Sequence, residues 1–253
     1  MIRFASLGSG SKGNATLVAS DSTLLMIDCG FSGREAARRL ARLGVSPEQL
    51  DAVLVTHEHS DHIAGVAALS RRYEIPVYLT HGTASSGRCD KSHELRSFNC
   101  GDRFPVGDIN VTAVPVPHDA LEPCQYRLDS GAVALGVLTD LGSITPHVIE
   151  HFGSCDALLL EFNHDVPTLM AGSYPPMLKR RVAGDRGHLN NGQSLDLLRS
   201  VELERLRHLV VAHVSENNNS RNLVEEALLS VLDGLESVVF ADQSLGFDWL
   251  HLA

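Results

Sequence analysis

The sequence predicts a layered α/β fold whose sheets are covered on both faces. Several short runs rich in valine, leucine and alanine lack alternating polar residues, which is typical of strands buried on both sides. Helical segments separate many of these runs, as they do in layered α/β proteins. Six of the runs lead into a carboxylate or an imidazole. Ligands of such folds bind where the strands end, so these side chains indicate one functional edge.

The first elements are predominantly strands. Residues 2–7, 16–20 and 23–30 have the composition of strands, and a glycine loop joins the first two. Residues 33–44 (GREAARRLARLG) follow as an amphipathic helix with a solvated face of arginines. The apolar residues that we place on its other side are Ala37, Leu40, Ala41 and Leu43.

Apolar strands then alternate with helices. Helices are predicted at 61–73 and near 174–182, 192–200 and 221–233. Strands are predicted at 51–55, 76–80, 109–116, 124–128, 132–139, 156–161, 208–214 and 237–241. No repeat, low-complexity tract or long linker divides the chain, so we predict a single hydrolase domain over residues 1–253.

Composition narrows the class of protein. The formal net charge of −10 at pH 7 disfavours a protein that coats itself non-specifically in nucleic acid. No stretch approaches the roughly 18 apolar residues of a membrane helix, and residues 1–14 lack the features of a signal peptide. The five cysteines form no C-x-x-C pair, and their odd number argues against a disulfide framework. We therefore expect a cytoplasmic protein without a membrane partner, and the sequence predicts no particular oligomeric state.

Residues 56–65 (THEHSDHIAG) carry the densest group of titratable side chains. Three histidines and two carboxylates fall within residues 57–62, shortly after the apolar run 51–55. Without a metal, so many groups would repel one another or remain unsatisfied. Imidazoles and carboxylates without a thiolate suit Zn²⁺, Mn²⁺ or Fe²⁺. The stretch therefore predicts a metal centre.

The ends of other strands supply the remaining ligands. The predicted strand-end side chains are Asp28, His57, His118, Asp140, Glu161 and His213. We predict two divalent ions, Zn²⁺ or Mn²⁺, because the side chains divide into two sets that a carboxylate can bridge. The first set is His57, His59 and His118, the second is Asp61, His62 and His213, and Asp140 is the bridge.

The sequence resembles the metallo-β-lactamase superfamily. The motif H-x-H-x-D-H at 57–62 carries the resemblance, together with MIDCG upstream and PHDA, TDLG and AHVS downstream. The family's fold is a four-layer αββα sandwich with a dinuclear centre at one edge. The longer matches LGSGSKGNATLV, LEFNHD, SYPPMLKRRVAGDRGHLNN and HVSENN are similar to the YycJ/WalJ-like branch. That branch implies a 5′→3′ exonuclease on double-stranded DNA that serves DNA repair; GHLNN stands where GHLSN is expected, and the histidine is retained.

The resemblance implies a role for each site residue. The seven residues of the two sets and the bridge match the metal ligands, and Asp61 would also hydrogen-bond a shared hydroxide that attacks phosphorus. Asp28 matches an aspartate that orients the histidine loop. His164 would contact the metal ligands without binding the metal itself. Glu161 and His188 resemble the glutamate–histidine pair of ribonuclease Z enzymes. In that pair the histidine would stabilise developing charge or protonate the leaving oxygen.

Other residues are candidates for substrate binding. Four basic residues close to His188 in sequence predict a track for the phosphate backbone: Lys179, Arg180, Arg181 and Arg186. The glycine loop GSGSKGN at 8–14 lacks the Walker pattern, because Lys12 precedes another glycine and a strand. Ser11 and Asn14 in this loop are candidates for contacts with the substrate.

Alternative functions remain open. A glyoxalase-type thioester hydrolase shares the histidine motif, but such enzymes usually add a helical C-terminal domain, and here the motifs continue to about residue 217. An RNA or cyclic-phosphodiester hydrolase would differ only in its substrate groove. A catalytically silent metal-binding module is disfavoured by the complete ligand set. The carboxylate at 140 disfavours a β-lactamase, and the short interval between Asp140 and His213 disfavours a β-CASP nuclease, which carries an inserted cap domain.

Overall fold

Two seven-stranded mixed sheets pack face to face in the computed structural model, which describes residues 1–231 and 237–252. In chain order the strands are β1 (Ile2–Gly8), β2 (Ala15–Ala19), β3 (Leu24–Ile27), β4 (Ala52–Leu54), β5 (Pro76–Thr80), β6 (Glu94–Phe98), β7 (Arg103–Val106), β8 (Ile109–Pro115), β9 (Cys124–Ser130), β10 (Val133–Leu138), β11 (Ala157–Glu161), β12 (His208–Ala212), β13 (Ser237–Phe240) and β14 (Phe247–Leu252).

The two sheets have the same pattern of strand directions. The first has the order β14-β1-β2-β3-β4-β5-β6, and the second has the order β13-β12-β11-β10-β9-β8-β7. In each sheet three neighbouring pairs are antiparallel and three are parallel. The parallel strands β3 and β4 of one sheet and β10, β11 and β12 of the other end at the functional edge.

Helices form the two outer layers. They are α1 (Gly33–Arg42), α2 (Ser60–Ile63), α3 (Val66–Tyr73), α4 (His81–Ser85), α5 (Pro146–Phe152), α6 (Val166–Ala171), α7 (Pro176–Val182), α8 (Asn191–Leu198) and α9 (Arg221–Leu228), with a short 3₁₀ turn at Pro47–Gln49. In the described parts of the chain, none of the helices is both long and apolar enough to span a bilayer.

Three apolar cores hold the layers together. Because successive residues of a strand face opposite sides of a sheet, Leu25 lies in the central core between the sheets and Met26 in the core beneath α1 and α3. Leu159 and Leu158 divide in the same way between the central core and the core beneath α5, α8 and α9. The predicted αββα sandwich is confirmed.

Helix α1 differs from its prediction. It ends at Arg42 and buries Ala36 and Leu40, whereas Ala41 is exposed. Arg39 is not on a solvated face, because its guanidinium lies 3.9 Å from the Phe31 ring centroid and donates to the carbonyl of Leu7. A guanidinium that stacks on an aromatic ring and donates to a carbonyl can be partly buried without losing its polar interactions.

Other helices and strands also differ from their predicted bounds. The predicted helix 61–73 divides at Gly65, where a Cβ atom would lie 1.8 Å from the carbonyl oxygen of Phe31. The predicted helix 221–233 ends at Leu228, and its positions 232 and 233 lie outside the described residues. The edge strand β6 was not predicted, because four of its five residues are exposed and no apolar pattern marks it.

Candidate metal centre

Six strands bring their terminal carboxylate or imidazole to one edge of the sandwich. Strand β8 runs in the same direction as β10, because both are antiparallel to β9, and so His118 reaches the same edge as Asp140. The two predicted ligand sets each have ligand atoms within 4.8 Å of one another. The ligand atoms of the two predicted sets therefore lie close together at one edge of the sandwich.

The first cluster contains His57, His59 and His118. His59 Nδ1 lies 3.2 Å from His118 Nε2, and His118 Nδ1 lies 3.0 Å from the carbonyl oxygen of Gly187. Because a carbonyl oxygen can only accept a hydrogen bond, His118 carries a proton on Nδ1 and presents its unprotonated Nε2 to the cluster. His57 Nδ1 contacts the hydroxyl of Thr56 at 2.9 Å, and its buried Nε2 has no partner.

The second cluster contains Asp61, His62 and His213. Asp61 Oδ2 lies 3.6 Å from His62 Nε2 and 3.7 Å from His213 Nε2. Asp28 accepts a hydrogen bond from His62 Nδ1 at 2.8 Å, which directs Nε2 towards the cluster. The carboxylate of Asp28 is itself fixed by the backbone N–H and the hydroxyl of Thr56, both at 2.8 Å.

Asp140 lies between the two clusters. Its Oδ2 is 3.0 Å from His62 Nε2, and His57, His62 and Asp140 form a further group that could hold an ion. Although burial raises the pKa of Asp140, the charges of His213 and His62 hold it well below its usual range. Asp140 is therefore a carboxylate within reach of ligands from both clusters.

The donor atoms fit a divalent cation. Among the described residues, three buried side-chain atoms at this edge find no hydrogen-bond partner: His57 Nε2, His213 Nε2 and Asp140 Oδ2. Leaving such atoms unsatisfied is unfavourable, and a cation coordinated by imidazole and carboxylate would complete them. The Asp140, Asp61 and Glu161 carboxylates outweigh burial and raise the pKa of His213 to about 10. A cation at this position therefore competes with a proton.

Glu161 connects the metal ligands to His188. Its fully buried carboxylate accepts from His188 Nδ1 at 2.9 Å and from His213 Nδ1 at 2.8 Å, both on Oε1. Oε2 accepts from the backbone N–H groups of Leu189 and Leu141. Although burial raises the pKa of Glu161, His188 and His213 lower it to about 2. Its carboxylate is ionised and keeps a proton on the Nδ1 atom of both histidines.

A comparison with known sequences places this architecture in a family. A profile of the β-lactamase superfamily domain matches residues 23–213, which include every proposed metal ligand. The chain belongs to the metallo-β-lactamase superfamily. Exodeoxyribonuclease WalJ of Streptococcus pneumoniae is 33% identical over 98% of this chain and 92% of its own length. Exodeoxyribonuclease YycJ of Bacillus anthracis is 34% identical over 92% of this chain and 89% of its own.

A solved structure supports the fold. The metallo-β-lactamase fold protein YhfI of Bacillus subtilis aligns with a TM-score of 0.77 and 18% identity, covering 99% of this chain and 100% of that protein. At this identity the match supports the shared metallo-β-lactamase fold. The resemblance to the YycJ/WalJ-like branch is confirmed by the two exodeoxyribonuclease relatives.

The metallo-β-lactamase edge opens into a cleft of about 370 Å³. Its lining includes His59, Asp61, Asp140, His188 and His213, and also Ser11 and Arg181 among the predicted substrate contacts. The other three basic residues are not among the lining residues: Lys179, Arg180 and Arg186. The ammonium of Lys179 instead donates to the carbonyl oxygen of Met170 at 2.6 Å. Arg181 is therefore the member of the predicted basic track that reaches the cleft.

Asn14 and His164 are buried. Asn14 exchanges hydrogen bonds with the backbone of Gly10 and donates to the carbonyl of Asp61, so it connects the glycine loop to the histidine stretch. This position leaves its amide engaged within the protein rather than facing the cleft. His164 is fully buried, and its two ring nitrogens have no hydrogen-bond partner within residues 1–231 and 237–252. Burial lowers its pKa to about 4. His164 is therefore a neutral imidazole.

Sequence reasoning missed several residues at the site. Thr56 bridges Asp28, His57 and His62, and only its position before His57 could have indicated this. Asp119 follows His118 and accepts from Arg181 Nε at 2.5 Å. The cleft is also lined by Arg88, Tyr174, Asn163 and Asn218. The last three lie within the matches SYPPMLKRRVAGDRGHLNN, LEFNHD and HVSENN, but sequence reasoning assigned them no role, and Arg88 lies in none of the matches.

Proposed function

We propose that this protein is a metal-dependent phosphodiesterase, a 5′→3′ exonuclease on double-stranded DNA that acts in DNA repair. One observation carries the proposal: Asp140 lies between two clusters of ligands, and the Glu161–His188 pair stands at the same cleft. The names of the relatives, exodeoxyribonucleases WalJ and YycJ, favour a nucleic-acid substrate and DNA over RNA. We also propose a cytoplasmic location, in keeping with five free cysteines.

The proposal assigns two divalent cations, Zn²⁺ or Mn²⁺, to this centre. His57, His59 and His118 would hold one, and Asp61, His62 and His213 would hold the other, with Asp140 shared. When bound, such a pair of cations supplies Lewis acidity and lowers the pKa of a water molecule.

Side chains of the protein would position the attacking water and protonate the leaving oxygen. Asp61 lies beside both His62 and His213, where it could accept a hydrogen bond from the attacking water. His188 lies in the cleft with Nδ1 bonded to Glu161, so its other nitrogen is available to the substrate. The charge of Glu161 counteracts burial and raises the pKa of His188, which favours proton donation to the leaving oxygen.

An RNA or cyclic-phosphodiester hydrolase is the second candidate. The Glu161–His188 pair favours it as much as it favours a DNA nuclease, since the resemblance to ribonuclease Z rests on the same two residues. A thioester hydrolase of the glyoxalase type has no evident use for this pair. A silent binding module would not need a histidine that faces the cleft.

The test uses end-labelled duplex DNA, single-stranded DNA and RNA, each with Mn²⁺ or Zn²⁺. We expect metal-dependent release of products from the 5′ end of duplex DNA. The variants His59→Ala and Asp61→Ala should lose this activity while their circular dichroism stays unchanged. Preferential cleavage of RNA would favour the second candidate. Full activity in either variant, or cleavage of none of the three substrates, would overturn the proposed function.

A further inference from the structure

An apolar tip borders the cleft. It consists of Tyr174 and Pro175, which precede α7, and of Pro176 and Met177, the first two residues of α7. Tyr174 lines the cleft, as does Leu178 directly after the tip, whereas the Met177 side chain is 77% exposed. Two further large apolar side chains, Val166 and Met170, are exposed one helical turn apart on α6. An exposed apolar surface that continues into a binding cleft indicates an interaction site.

Two prolines and two hydrogen bonds restrict the conformations of the tip. Pro175 and Pro176 restrict the backbone as α7 begins, with Pro175 at the N-cap position. The hydroxyl of Tyr174 accepts a hydrogen bond from Asn217 at 3.3 Å, and Lys179 donates to the carbonyl of Met170. Such a tip loses little conformational freedom when a partner docks on it.

Positive charge adjoins the tip. Arg180 and Arg181 follow Met177 by three and four residues on α7, so their side chains emerge on the neighbouring helix surface. Arg181 also lines the cleft, while the chain as a whole carries a net charge of −10. An apolar surface beside cations suits a partner with flat apolar faces and an anionic backbone. The end of a nucleic-acid duplex has both.

The cleft favours a separated strand. Asp140, His188 and His213 line a recess of about 370 Å³ rather than an open face of the protein. A strand released from its partner is narrower than a duplex and can present its phosphates to such a recess. A group that opens the terminal base pair at the mouth of the cleft would therefore assist entry.

We propose that the apolar tip is the docking site for the end of a nucleic-acid duplex, where it separates the terminal base pair. Methionine and proline are side chains that proteins insert between bases to unstack them. Met177 would stack on the end of the duplex, Tyr174 would guide one strand into the cleft, and Arg181 would contact its backbone. This inference rests on the proposed nuclease function and goes beyond it by assigning the step that precedes cleavage.

The test compares three DNA substrates of the same sequence: a blunt duplex, a duplex whose last few base pairs are mismatched, and the single strand. The variant Met177→Ala should cleave the blunt duplex about five- to tenfold more slowly, in line with the loss of most of one buried apolar side-chain contact. On the mismatched duplex and the single strand its rate should change less than twofold. Met177→Leu, which keeps an apolar side chain, should retain the wild-type rate on all three.

The matched control is Leu229→Ala. Leu229 is the C-cap residue of α9, about 12 Å along the helix axis from its first residue, Arg221. Its side chain is 82% exposed, and it does not line the cleft. An equal loss on all three substrates in Met177→Ala would overturn the separating role. An unchanged rate on the blunt duplex would do the same and would leave a protein partner as the occupant of the tip. Failure of the proposed function looks different, because the wild-type protein would then cleave none of the substrates.

Discussion

Asp28 accepts a hydrogen bond from His62 Nδ1 at 2.8 Å, although the two residues are separated by 34 positions in the chain. The same carboxylate accepts from the backbone N–H and the hydroxyl of Thr56. Together these donors hold the carboxyl group of Asp28 in one orientation. The Nε2 of His62, its proposed metal-binding nitrogen, is therefore aimed by a residue that is not itself a proposed ligand.

Asp28→Asn should weaken metal binding by about 10- to 100-fold, the usual effect of losing a residue that orients a ligand. An amide has one acceptor oxygen, so it cannot satisfy both Thr56 and His62. Asparagine tolerates the positive φ of 59° at this position, so the backbone should be retained. Competition with a chelator measures the affinity, and an unchanged affinity would contradict the orienting role.

His188→Ala should lower kcat by about 10²- to 10⁴-fold, as expected for loss of a general acid. Metal content should stay at the wild-type value, because His188 belongs to neither proposed ligand set. Single-turnover kinetics and elemental analysis of the same preparation measure the two quantities. Loss of metal together with activity would instead identify His188 as a ligand in the group that it forms with Asp140, Glu161 and His213.

Arg181→Ala should weaken binding of duplex DNA and reduce its dependence on salt. Arg181 is the predicted basic residue that lines the cleft, so its removal should lower the slope of log K against log [salt] by about 0.9, the value for one phosphate contact. Arg38→Ala is the control, because Arg38 is also paired with a carboxylate but lies on α1 and does not line the cleft. Equal slopes in the wild-type protein and Arg181→Ala would exclude a phosphate contact.

The carboxylate of Asp108 should make the stability of the fold depend on pH between about 2 and 4. The hydroxyls of Ser20, Ser22 and Thr23 donate to its carboxylate and connect the β2–β3 turn to the β7–β8 turn across the two sheets. The donors from Ser20 and Thr23 contribute most to lowering its pKa from 3.8 to about 2. A lowered folded-state pKa stabilises the fold above pH 3.8, and this contribution disappears as the pH falls to about 2.

Asp108→Asn should therefore be destabilised by about 0.5–1 kcal/mol at pH 7, since the group is exposed and its hydrogen bonds have a small net effect. The difference from the wild-type protein should narrow between pH 4 and pH 2. Thermal unfolding of both proteins across this range measures it. A constant difference would mean that the carboxylate charge does not contribute.

The arrangement of the metal edge was largely predictable from the sequence. Residues 57–62 form a local motif, and the other ligands follow apolar runs whose strand character is also local. Because parallel strands end at a common edge, these short patterns were enough to group His57, His118, Asp140 and His213. The αββα layers followed from the resemblance, whereas the exposed edge strand β6 left no apolar pattern to detect.

Sequence by itself determined which side chains gather at the strand ends, because strand formation and the histidine motif both depend on neighbours in the chain. Only the tertiary structure decided that Glu161 Oε1 serves both His188 and His213, that Arg181 lines the cleft while Lys179 reaches Met170, and that Asn14 is buried. These outcomes depend on contacts between segments far apart in sequence. The direction of a side chain there is set by packing and hydrogen bonding across layers, which no local pattern encodes.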